Sequence, residues 1–470
     1  MPWIYIALLL LVFQIGAVII MEHCRPHKAV AWIVIVYLFP PFSFLLYYFM
    51  GREYSCLRVI RPEKSMELQQ IKIKLIERCK HNIPNELLAQ HPGWIENQGI
   101  LSYPTSFPLT AYNETTVFAE GEPAFQAIFE SITEAKHHIH IQFYIIRNDT
   151  LGTQLQQLLV QKAQEGVKVR LLYDGVGSYR LPQRYLKQLE DAGVEISCFS
   201  PPLTAFIRKN INYRNHRKIL IVDGNVGFLG GLNIGDEYLG ADPKIGFWRD
   251  THFRIRGDAV LWIQYTFLTD WYLLRGQWLT DSIYYPEQER LGDEFVQIVK
   301  SDPDEPILQL IFSCIVSAKK RIYIQSPYFI PDSSIVLALK TAALKGIDVR
   351  IIIPASLDSK MVYRATLSYV EELLRCGVRF YSYNNGFIHS KVLIADDLVC
   401  SGSANMDIRS LCSHFELNAI FINDIITDRM LEDFNRDLTD SEEILLPDFE
   451  KRSKRTRLKE GFARLLSPLF

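Results

Sequence analysis

The chain has 470 residues, with 51 lysines and arginines against 53 aspartates and glutamates, and a formal net charge of −2. This length allows roughly two or three units that each bury a core, and the near-neutral charge gives no electrostatic case for a nucleic-acid partner. The eight cysteines show no CxxC pair and no metal-ligand spacing, so we expect neither a disulfide framework nor a metal or other cofactor.

The N-terminus carries two uncharged apolar stretches, residues 3–21 and 29–50. Each reaches the length of about 20 residues that spans a bilayer as a helix. A signal peptide is the poorer interpretation, because no basic segment precedes the first stretch and no small-residue cleavage site follows it. We therefore predict a transmembrane hairpin over residues 1–51, with a kink at Pro40 and Pro41 in the second span.

The orientation of this hairpin is indicated by the basic residues that flank it. Four lysines and arginines follow the second span within residues 52–64, whereas the loop between the spans has Arg25 and Lys28. Positive charge near the ends of spans favours the cytoplasmic side. We therefore predict a cell-membrane protein whose main body is cytoplasmic.

Residues 52–112 are interpreted as a proline-punctuated connector that contains a short amphipathic helix from Pro62 to Lys80. Beyond it, the chain repeats itself. The segment AKHHIHIQFYII matches AKKRIYIQSPYFI, and QEGVKVRLLYDG matches LKGIDVRIIIPA. Such self-similarity indicates two structurally equivalent units, which we predict over residues 113–295 and 296–440.

The fold class follows from the pattern inside these repeats. Short apolar runs rich in Val, Ile, Tyr and Phe alternate with helical patterns, which is typical of α/β/α layers with buried sheets. Two such halves are expected to pack about a pseudo-twofold axis, with equivalent residues opposite one another. The first half carries about eleven extra residues before its motif, in PPLTAFIRKNIN.

The last segment, residues 441–470, is a basic tail with a Leu and Phe face. An ordinary solvated helix would have this pattern. Next to two predicted spans, we also expect an interfacial amphipathic helix on anionic lipid.

One pattern occurs twice in the chain: His-x-Lys, then four residues, then Asp. The two copies are His216, Lys218 and Asp223, and His389, Lys391 and Asp396. Each copy runs into a segment that contains glycine and asparagine. Duplicated histidine and lysine suit displacement at a phosphodiester, in which a nucleophile and an acid act from opposite sides of the phosphorus.

The spacing also predicts the local geometry of the first copy. His216 and Lys218 share one face of a strand, and a two-residue loop at Gly224-Asn225 would set Lys218 opposite Gly231 and His216 opposite Asn233. The glycines and Asn233 would then line the same pocket as the motif.

The second copy is one residue shorter between its Asp and its Asn. Pairing His389 with Asn405 requires a three-residue loop from Asp396 to Leu398. At about 3.3 Å per residue, the aspartates of both copies lie roughly 16 Å along the strand from their lysines. The spacing therefore gives Asp223 and Asp396 a structural role at the turns.

The chemistry expected of such a pocket follows from the residue types. Two lysines place positive charge on the phosphoryl oxygens. One neutral histidine attacks phosphorus, while the other, protonated, donates to the leaving alkoxide; an imidazole pKa near 6.5 lets both states coexist at neutral pH. Asp250 and Glu416 are candidates to orient the imidazoles, although a carboxylate at a strand start is also a common surface feature.

With these motifs, the chain resembles the phospholipase D superfamily and, within it, the bacterial cardiolipin synthases. The flanking blocks that carry the resemblance are GREY, LLYDGVGS, GFWRDTHFRIRG, QSPYFIPD, NMDIRSL and RLLSPLF. The resemblance implies two phospholipase D-like repeats and an active set of His216, Lys218, Asp223, His389, Lys391 and Asp396. It also implies a surrounding pocket made by Gly231, Asn233, Asp250, Ser403, Asn405 and Glu416.

The resemblance further implies a reaction in which two phosphatidylglycerols give cardiolipin and glycerol through a phosphatidyl-histidine, with His216 as the nucleophile by superfamily analogy. Three alternatives stay open at this point. The first is a related transferase or hydrolase that acts on another lipid such as phosphatidylethanolamine, the second a membrane-attached nuclease, and the third a non-catalytic scaffold.

Overall fold

Sixteen strands among the described residues form one mixed sheet. The computed structural model describes residues 2–22, 26–39, 47, 66–80, 107–201, 213–243, 245–302, 306–355 and 359–467. The extra segment PPLTAFIRKNIN of the first half lies outside these residues, apart from its first proline.

Three helices precede the sheet: α1 (Pro2–Met21), α2 (Pro26–Leu38) and α3 (Met66–Lys80). α1 packs on α2, and α3 is the amphipathic helix expected within the connector. Among the described residues, none of the helices combines the length and the apolar character needed to cross a bilayer. The spans predicted at 3–21 and 29–50 are therefore not confirmed, and the kink expected in the second lies outside the described residues.

The elements of the first repeat alternate as the sequence predicts. In chain order they are β1 (Thr110–Glu120), α4 (Gly121–Glu134), β2 (His138–Phe143), α5 (Thr150–Gln164), β3 (Lys168–Asp174), α6 (Gln183–Asp191), β4 (Glu195–Phe199), β5 (Ile219–Val222), β6 (Val226–Gly230), β7 (Trp248–Arg256) and α7 (Ala259–Arg275). Short 3-10 turns follow β6 at Asp236–Leu239 and α7 at Ser282–Tyr284.

The second repeat has the same alternation and three further elements at its end. It comprises β8 (Glu294–Ser301), α8 (Pro306–Ser317), β9 (Arg321–Gln325), α9 (Ser333–Leu344), β10 (Asp348–Pro354), α10 (Lys360–Leu374), β11 (Arg379–Tyr383), β12 (Phe387–Ile388), β13 (Val392–Ala395), β14 (Leu398–Gly402), α11 (Ile408–Cys412), β15 (Glu416–Ile422) and α12 (Asp424–Thr439), followed by β16 (Ser441–Ile444), α13 (Leu446–Glu450) and α14 (Lys454–Leu466).

The strand order shows how the two halves are related. It runs β4-β3-β2-β5-β6-β7-β1 and then β8-β15-β14-β13-β9-β10-β11-β16, and the sixteenth strand, β12, pairs with β7 beside this path. Apart from β16, the order reads the same from both edges, and the antiparallel pair β1 and β8 lies at its centre. The predicted α/β fold of two repeats about a pseudo-twofold axis is confirmed, and the axis passes between β1 and β8.

The core has a different organisation on the two faces of the sheet. On one face a single cluster crosses both repeats, with Trp262 and Phe267 of α7 and Met430 and Phe434 of α12 buried in it. On the other face each repeat has its own cluster, beneath α4 and α5 in the first and beneath α8 and α9 in the second. The shared cluster joins the two halves into one body, since apolar burial is the main driving force for such packing.

The hairpin that follows each motif is shifted by one residue from the predicted register. Val222 pairs with Val226, so Asp223 to Asn225 form a three-residue loop. Ala395 pairs with Leu398, so the second loop has two residues, Asp396 and Asp397. The predicted loops at Gly224-Asn225 and at Asp396 to Leu398 are therefore wrong, although the turn does absorb the one-residue difference.

The reason for the shift is the conformation of the motif aspartates. Asp223 and Asp396 both have a φ of +53°, the left-handed region that Asp tolerates better than most residues. The chain therefore turns at the aspartate itself rather than after it. As a result, the β5–β6 ladder ends at Ile219 and Leu229, and the motif histidine and lysine precede it.

Candidate active site

Each motif strand runs parallel to the start of a strand from the other repeat. The backbone N–H of His216 donates to the carbonyl of Phe415 at 2.9 Å, and that of His389 donates to the carbonyl of Arg249 at 2.6 Å. Phe415 and Arg249 directly precede Glu416 and Asp250. These short parallel pairings therefore bring each histidine beside a carboxylate of the opposite half.

Each carboxylate contacts the Nδ1 atom of an imidazole. His389 Nδ1 lies 2.6 Å from Asp250 Oδ2, and His216 Nδ1 lies 3.1 Å from Glu416 Oε2. A carboxylate is an acceptor, so it favours the tautomer with the proton on Nδ1 and the lone pair on Nε2. Both sequence candidates for orienting the histidines are thus at the histidines, each across the boundary between repeats.

Both carboxylates are fully buried, and the charges around Asp250 favour its ionised form. Burial raises the pKa of Asp250, but Lys391 and His389 outweigh it and leave this pKa below its ordinary value. Glu416 also accepts a hydrogen bond from the Ser403 hydroxyl at 2.5 Å. Each carboxylate is therefore fixed by its surroundings before any substrate arrives.

The two lysines are buried beside the histidines. Lys391 Nζ lies 3.0 Å from Nδ1 and 3.2 Å from Nε2 of His389, and Lys218 Nζ lies 5.4 Å from the ring centre of Tyr144. Burial lowers the pKa of Lys218 to about 7 and that of Lys391 to about 8. Their ammonium groups are therefore poised to take up an anion, because a phosphodiester favours the charged form.

The pKa values of the histidines depart from the expected 6.5. Burial, followed by Lys218 and Lys391, lowers the pKa of His216 well below its ordinary value. Burial and Lys391 lower the pKa of His389 to about 4, although Asp250 opposes the shift. The expectation of two imidazoles that titrate near neutrality is thus wrong for the protein alone, and a nearby phosphodiester anion must raise the pKa of the one that serves as acid.

The same shifts show that the two motifs share one site. The pKa of His216 responds to Lys391 and His389 of the other repeat, and the pKa of Lys218 responds to Asp250 and Lys391. Such coupling between buried groups indicates that they lie close together in a medium of low dielectric. Both histidines and both lysines therefore act on the same volume.

Gly231 and Ser403, which follow the two motifs, lie against the carboxylates. A Cβ on Gly231 would lie 2.0 Å from Asp250 Oδ1, so this position leaves room for the carboxylate rather than for a phosphate. Ser403 occupies the equivalent position and binds Glu416 through its hydroxyl instead. The two halves hold their carboxylates in different ways.

The two asparagines of the motifs also differ. Asn233 accepts a hydrogen bond from the Ile145 N–H at 3.2 Å and donates to the Tyr238 hydroxyl at 3.1 Å, so its amide is used within the first repeat. The buried Oδ1 of Asn405 has no hydrogen-bond partner in the part of the chain that the structure describes. Asn405 is the better placed of the two to bind a ligand.

The motif aspartates lie at the turns and not at the histidines. Asp223 accepts backbone N–H bonds from residues 136–138 at 2.7 to 2.8 Å, and Asp396 accepts them from residues 319–321 at 2.7 to 3.0 Å. Each aspartate thereby ties its turn to the start of the neighbouring inner strand. This agrees with the structural role given by the spacing rather than with the active role implied by the resemblance.

Sequence reasoning missed a pair of buried arginines beneath the site. Arg217, between the motif histidine and lysine, is fully buried and binds Asp270 through Nη1 at 2.5 Å and the carbonyl of Glu416 through Nε at 3.1 Å. Arg249 binds Asp437 at 2.9 Å. The first arginine thus ties its own motif to the opposite repeat, and the second ties β7 to α12.

The acceptors of these arginines did leave a signal in the sequence. Asp270 and Asp437 also accept from Gln142 and Gln325 at 2.7 Å each. The two glutamines stand at equivalent places in the repeated blocks IQFY and IQSP. A polar residue repeated inside a buried strand needs a buried partner, and that requirement points to the aspartates.

A third imidazole lies beside the first motif. The ring of His414 is 6.0 Å from that of His216, and its Nδ1 is 3.7 Å from Glu416 Oε1. Trp248 stands at the equivalent position in the first repeat, 5.1 Å from His389. One motif histidine therefore has a polar neighbour and the other an indole.

Among the described residues, no cluster of three or more potential ligands is arranged to hold a metal ion.

Two catalytic motifs brought face to face by a palindromic sheet define a member of the phospholipase D superfamily. A family model described as "Cardiolipin synthase, PLD-like domain" matches residues 128–247 and 311–438. The chain belongs to this family, the phospholipase D-type cardiolipin synthases.

Similar proteins cover nearly the whole chain. A Bacillus anthracis protein named cardiolipin synthase 2 is 43% identical over 97% of this chain and 90% of its own length. A Geobacillus thermodenitrificans cardiolipin synthase is 42% identical over 97% of this chain and 91% of its own length. The crystal structure of a phosphatidylserine synthase from Haemophilus influenzae covers 80% of this chain and 97% of that one, with a TM-score of 0.59 and 16% identity, so it supports the fold alone.

Proposed function

We propose that this chain is a cardiolipin synthase that transfers a phosphatidyl group from one phosphatidylglycerol to another, releasing glycerol. The observation that carries the proposal is the pair of histidine–carboxylate contacts made across the repeats, His389 with Asp250 and His216 with Glu416. These contacts leave two Nε2 atoms, one from each half, for a single phosphodiester.

The first half-reaction forms a covalent intermediate. The Nε2 lone pair of His216 attacks the phosphorus of phosphatidylglycerol, and a bond forms between nitrogen and phosphorus. The bond from phosphorus to the headgroup glycerol breaks, and His389, protonated next to the bound anion, gives its proton to the departing oxygen. The assignment of His216 as the nucleophile rests on the superfamily analogy, and exchanging the two roles leaves the bond changes the same.

The second half-reaction reverses these roles with a new alcohol. A headgroup hydroxyl of a second phosphatidylglycerol attacks phosphorus, its proton passes to the now neutral His389, and the bond to nitrogen breaks to give cardiolipin. One phosphodiester replaces another, so the transfer is reversible and needs no activated donor. Lys218 and Lys391 stabilise the charge on the phosphoryl oxygens in both steps.

Membrane attachment belongs to the same proposal. α1 exposes Leu9, Phe13 and Ile20 by 66 to 75% of their surface, and its partner α2 contacts α14 of the catalytic body. On α14 the exposed Leu458 and Phe462 stand near Arg455 and Lys459. We place the N-terminal helices in the cell membrane, the body on the cytoplasmic side and α14 at the surface of anionic lipid.

The second candidate is a related enzyme that hydrolyses its substrate or uses phosphatidylethanolamine as a donor. The carboxylate-oriented histidines serve these reactions equally, since hydrolysis changes only the acceptor and phosphatidylethanolamine changes only the donor. The test is to supply the purified full-length protein with phosphatidylglycerol alone and to quantify the products by mass. Cardiolipin and glycerol in equal amounts support the synthase, phosphatidic acid supports the hydrolase, and turnover only after phosphatidylethanolamine is added supports the other donor.

Matched variants separate the site from the fold in that assay. His216→Ala and His389→Ala are expected to abolish cardiolipin formation, because each removes one of the two reacting imidazoles. His137→Ala, on an exposed position of the first repeat, is the control and is expected to keep full activity. Cardiolipin formed at the parental rate by either motif variant would remove the basis of the proposal.

A further inference from the structure

The outer helices of the two repeats are equivalent in position. His138 and Arg321 begin β2 and β9, and each donates its N–H to the motif aspartate of its own repeat. This equivalence aligns α4 with α8. Gly166 and Gly346 follow α5 and α9, with φ of +91° and +87°, which aligns α5 with α9. The pseudo-twofold relation thus provides an internal control for the surface chemistry of each helix pair.

At three of four equivalent positions, the first repeat is polar and the second is apolar, while the fourth pair is Phe129 and Phe312. Val316, Leu337 and Leu344 are exposed by 53, 65 and 73%, and Phe312 by 37%. We call these four residues the α8/α9 face. The first repeat has the exposed residues Thr133, Gln157 and Gln164 at the positions of the first three. An exposed apolar set that one of two equivalent units lacks marks an interaction surface.

The charge on the two helix pairs differs in the same sense. α4, α5 and the residue that follows α5 carry four glutamates: Glu122, Glu130, Glu134 and Glu165. α8 and α9 carry no acidic residue, and Lys345 stands at the position of Glu165. Lys319 and Lys320 follow α8, and Lys340 of α9 pairs with Glu372 of α10. The α8/α9 face is therefore bordered by cations, which suits an anionic partner.

The elements next to this face point to lipid as that partner. α9 packs on α10, α10 carries α14, and α14 contacts α2. α2 thus packs against the second repeat, through α14. The outer helices of this repeat continue, through α14, the series of exposed apolar side chains that begins at α1.

We propose that the α8/α9 face docks the second repeat on a bilayer that contains anionic phospholipid. This inference rests on the proposed function, whose substrate phosphatidylglycerol is such a lipid. The four apolar side chains enter the acyl boundary, and the lysines lie at the level of the phosphates. The equivalent face of the first repeat, polar at three of its four positions and bordered by glutamates, stays in water.

A footprinting experiment tests the contact without using activity. The full chain is placed in nanodiscs of phosphatidylcholine with or without phosphatidylglycerol, and hydroxyl-radical oxidation of each side chain is measured by mass spectrometry. Oxidation of Leu337 and Leu344 is expected to fall several-fold when phosphatidylglycerol is present. Tyr179 of the first repeat, 63% exposed, is the internal reference and should not change.

A kinetic experiment tests the consequence of this lipid contact for activity. The variant V316T/L337Q/L344Q carries the residues that the first repeat already has at equivalent positions, so it is expected to fold. We expect a several-fold loss of activity on phosphatidylglycerol vesicles and parental activity on short-chain phosphatidylglycerol dispersed as monomers. The matched control is T133A/Q157A/Q164A, which should behave as the parent on both substrates.

Three results separate the possible failures. Equal oxidation of the α8/α9 face with and without phosphatidylglycerol overturns the inference. So does protection that rises with protein concentration and not with lipid, since that result assigns the face to a second copy of the chain. A parent that makes no cardiolipin refutes the proposed function, while the footprint still decides whether this face binds lipid.

Discussion

His389 Nδ1 lies 2.6 Å from Asp250 Oδ2, although the two residues belong to different repeats. The reciprocal contact joins His216 to Glu416. Neither repeat therefore contains a complete histidine–carboxylate pair of its own. Any shift between the halves changes both imidazoles at once, which ties the packing of the repeats directly to the chemistry.

The first prediction concerns these carboxylates. Asp250→Asn and Glu416→Gln keep the shape of the side chain but remove the charge that favours the Nδ1–H tautomer. We expect each to lower kcat by about 10²–10⁴-fold, the range of a lost acid–base contribution, with a smaller change in KM. Steady-state cardiolipin formation measures both constants. Glu190→Gln, at an exposed position on α6, is the control. A parental kcat in both site variants would refute the orienting role.

The second prediction concerns the alkaline limb of the pH profile. Burial lowers the pKa of Lys218 to about 7 and of Lys391 to about 8, and the protonated lysine is the form that holds a phosphate. As the pH rises through these values the charge is lost, so kcat/KM should fall from about pH 7 to 8. Lys391→Arg keeps its charge at every accessible pH. If this variant retains activity, the alkaline fall in its kcat/KM should occur at a higher pH than in the parent. A parental limb that begins near the ordinary lysine pKa would contradict this.

The third prediction separates the turns from the chemistry. Asp223→Asn and Asp396→Asn tolerate the positive φ but weaken three hydrogen bonds to a charged acceptor. We expect each to lower the free energy of unfolding by about 1–3 kcal/mol, measured by urea denaturation. The kcat of the folded enzyme should change little. A loss of kcat comparable to that of His389→Ala, with unchanged stability, would return these aspartates to the active set.

The fourth prediction concerns the buried Arg217. Arg217→Met removes the cation that lies between Asp270 and Asp302. Asp302 keeps its ion pair with Lys300, so the uncompensated charge is that of the buried Asp270. The expected loss of stability is about 3–5 kcal/mol, the typical cost of breaking a buried ion pair from one side. Adding Asp270→Asn should recover part of the loss, because it removes a stranded charge. Unfolding curves for the single and double variants measure both effects, and equal stability of the parent and Arg217→Met would contradict them.

The sequence was sufficient to predict the repeated α/β architecture, because buried strands such as ILIV at 219–222 and VLIA at 392–395 have an apolar pattern that local physics dictates. It did not predict the hairpin register. That register depends on an aspartate taking a left-handed conformation, which its backbone hydrogen bonds to a distant strand stabilise. A propensity argument does not include such a long-range contact.

The sequence named the histidines and the carboxylates that the structure brings together, but it did not predict how they pair. Asp250 and Glu416 follow the motifs of their own repeats along the chain, and only the strand pairings at Arg249 and Phe415 exchange them. Arg217 and Arg249 were not predicted, because they occupy non-equivalent positions in the two halves and comparing the repeats therefore gave no signal. The lowered imidazole pKa values follow from burial, which the sequence does not display.

The measurement that tests the central claim most directly is the capture of the covalent intermediate. The full-length protein is mixed with phosphatidylglycerol labelled in its phosphatidyl group, quenched in denaturant within one turnover, and digested for mass spectrometry. We predict a phosphatidyl group on the peptide that contains His216, lost in His216→Ala. Label on the His389 peptide instead would exchange the two roles. Cardiolipin formation with no label on either histidine, under a quench that preserves phosphohistidine, would contradict the two-step transfer.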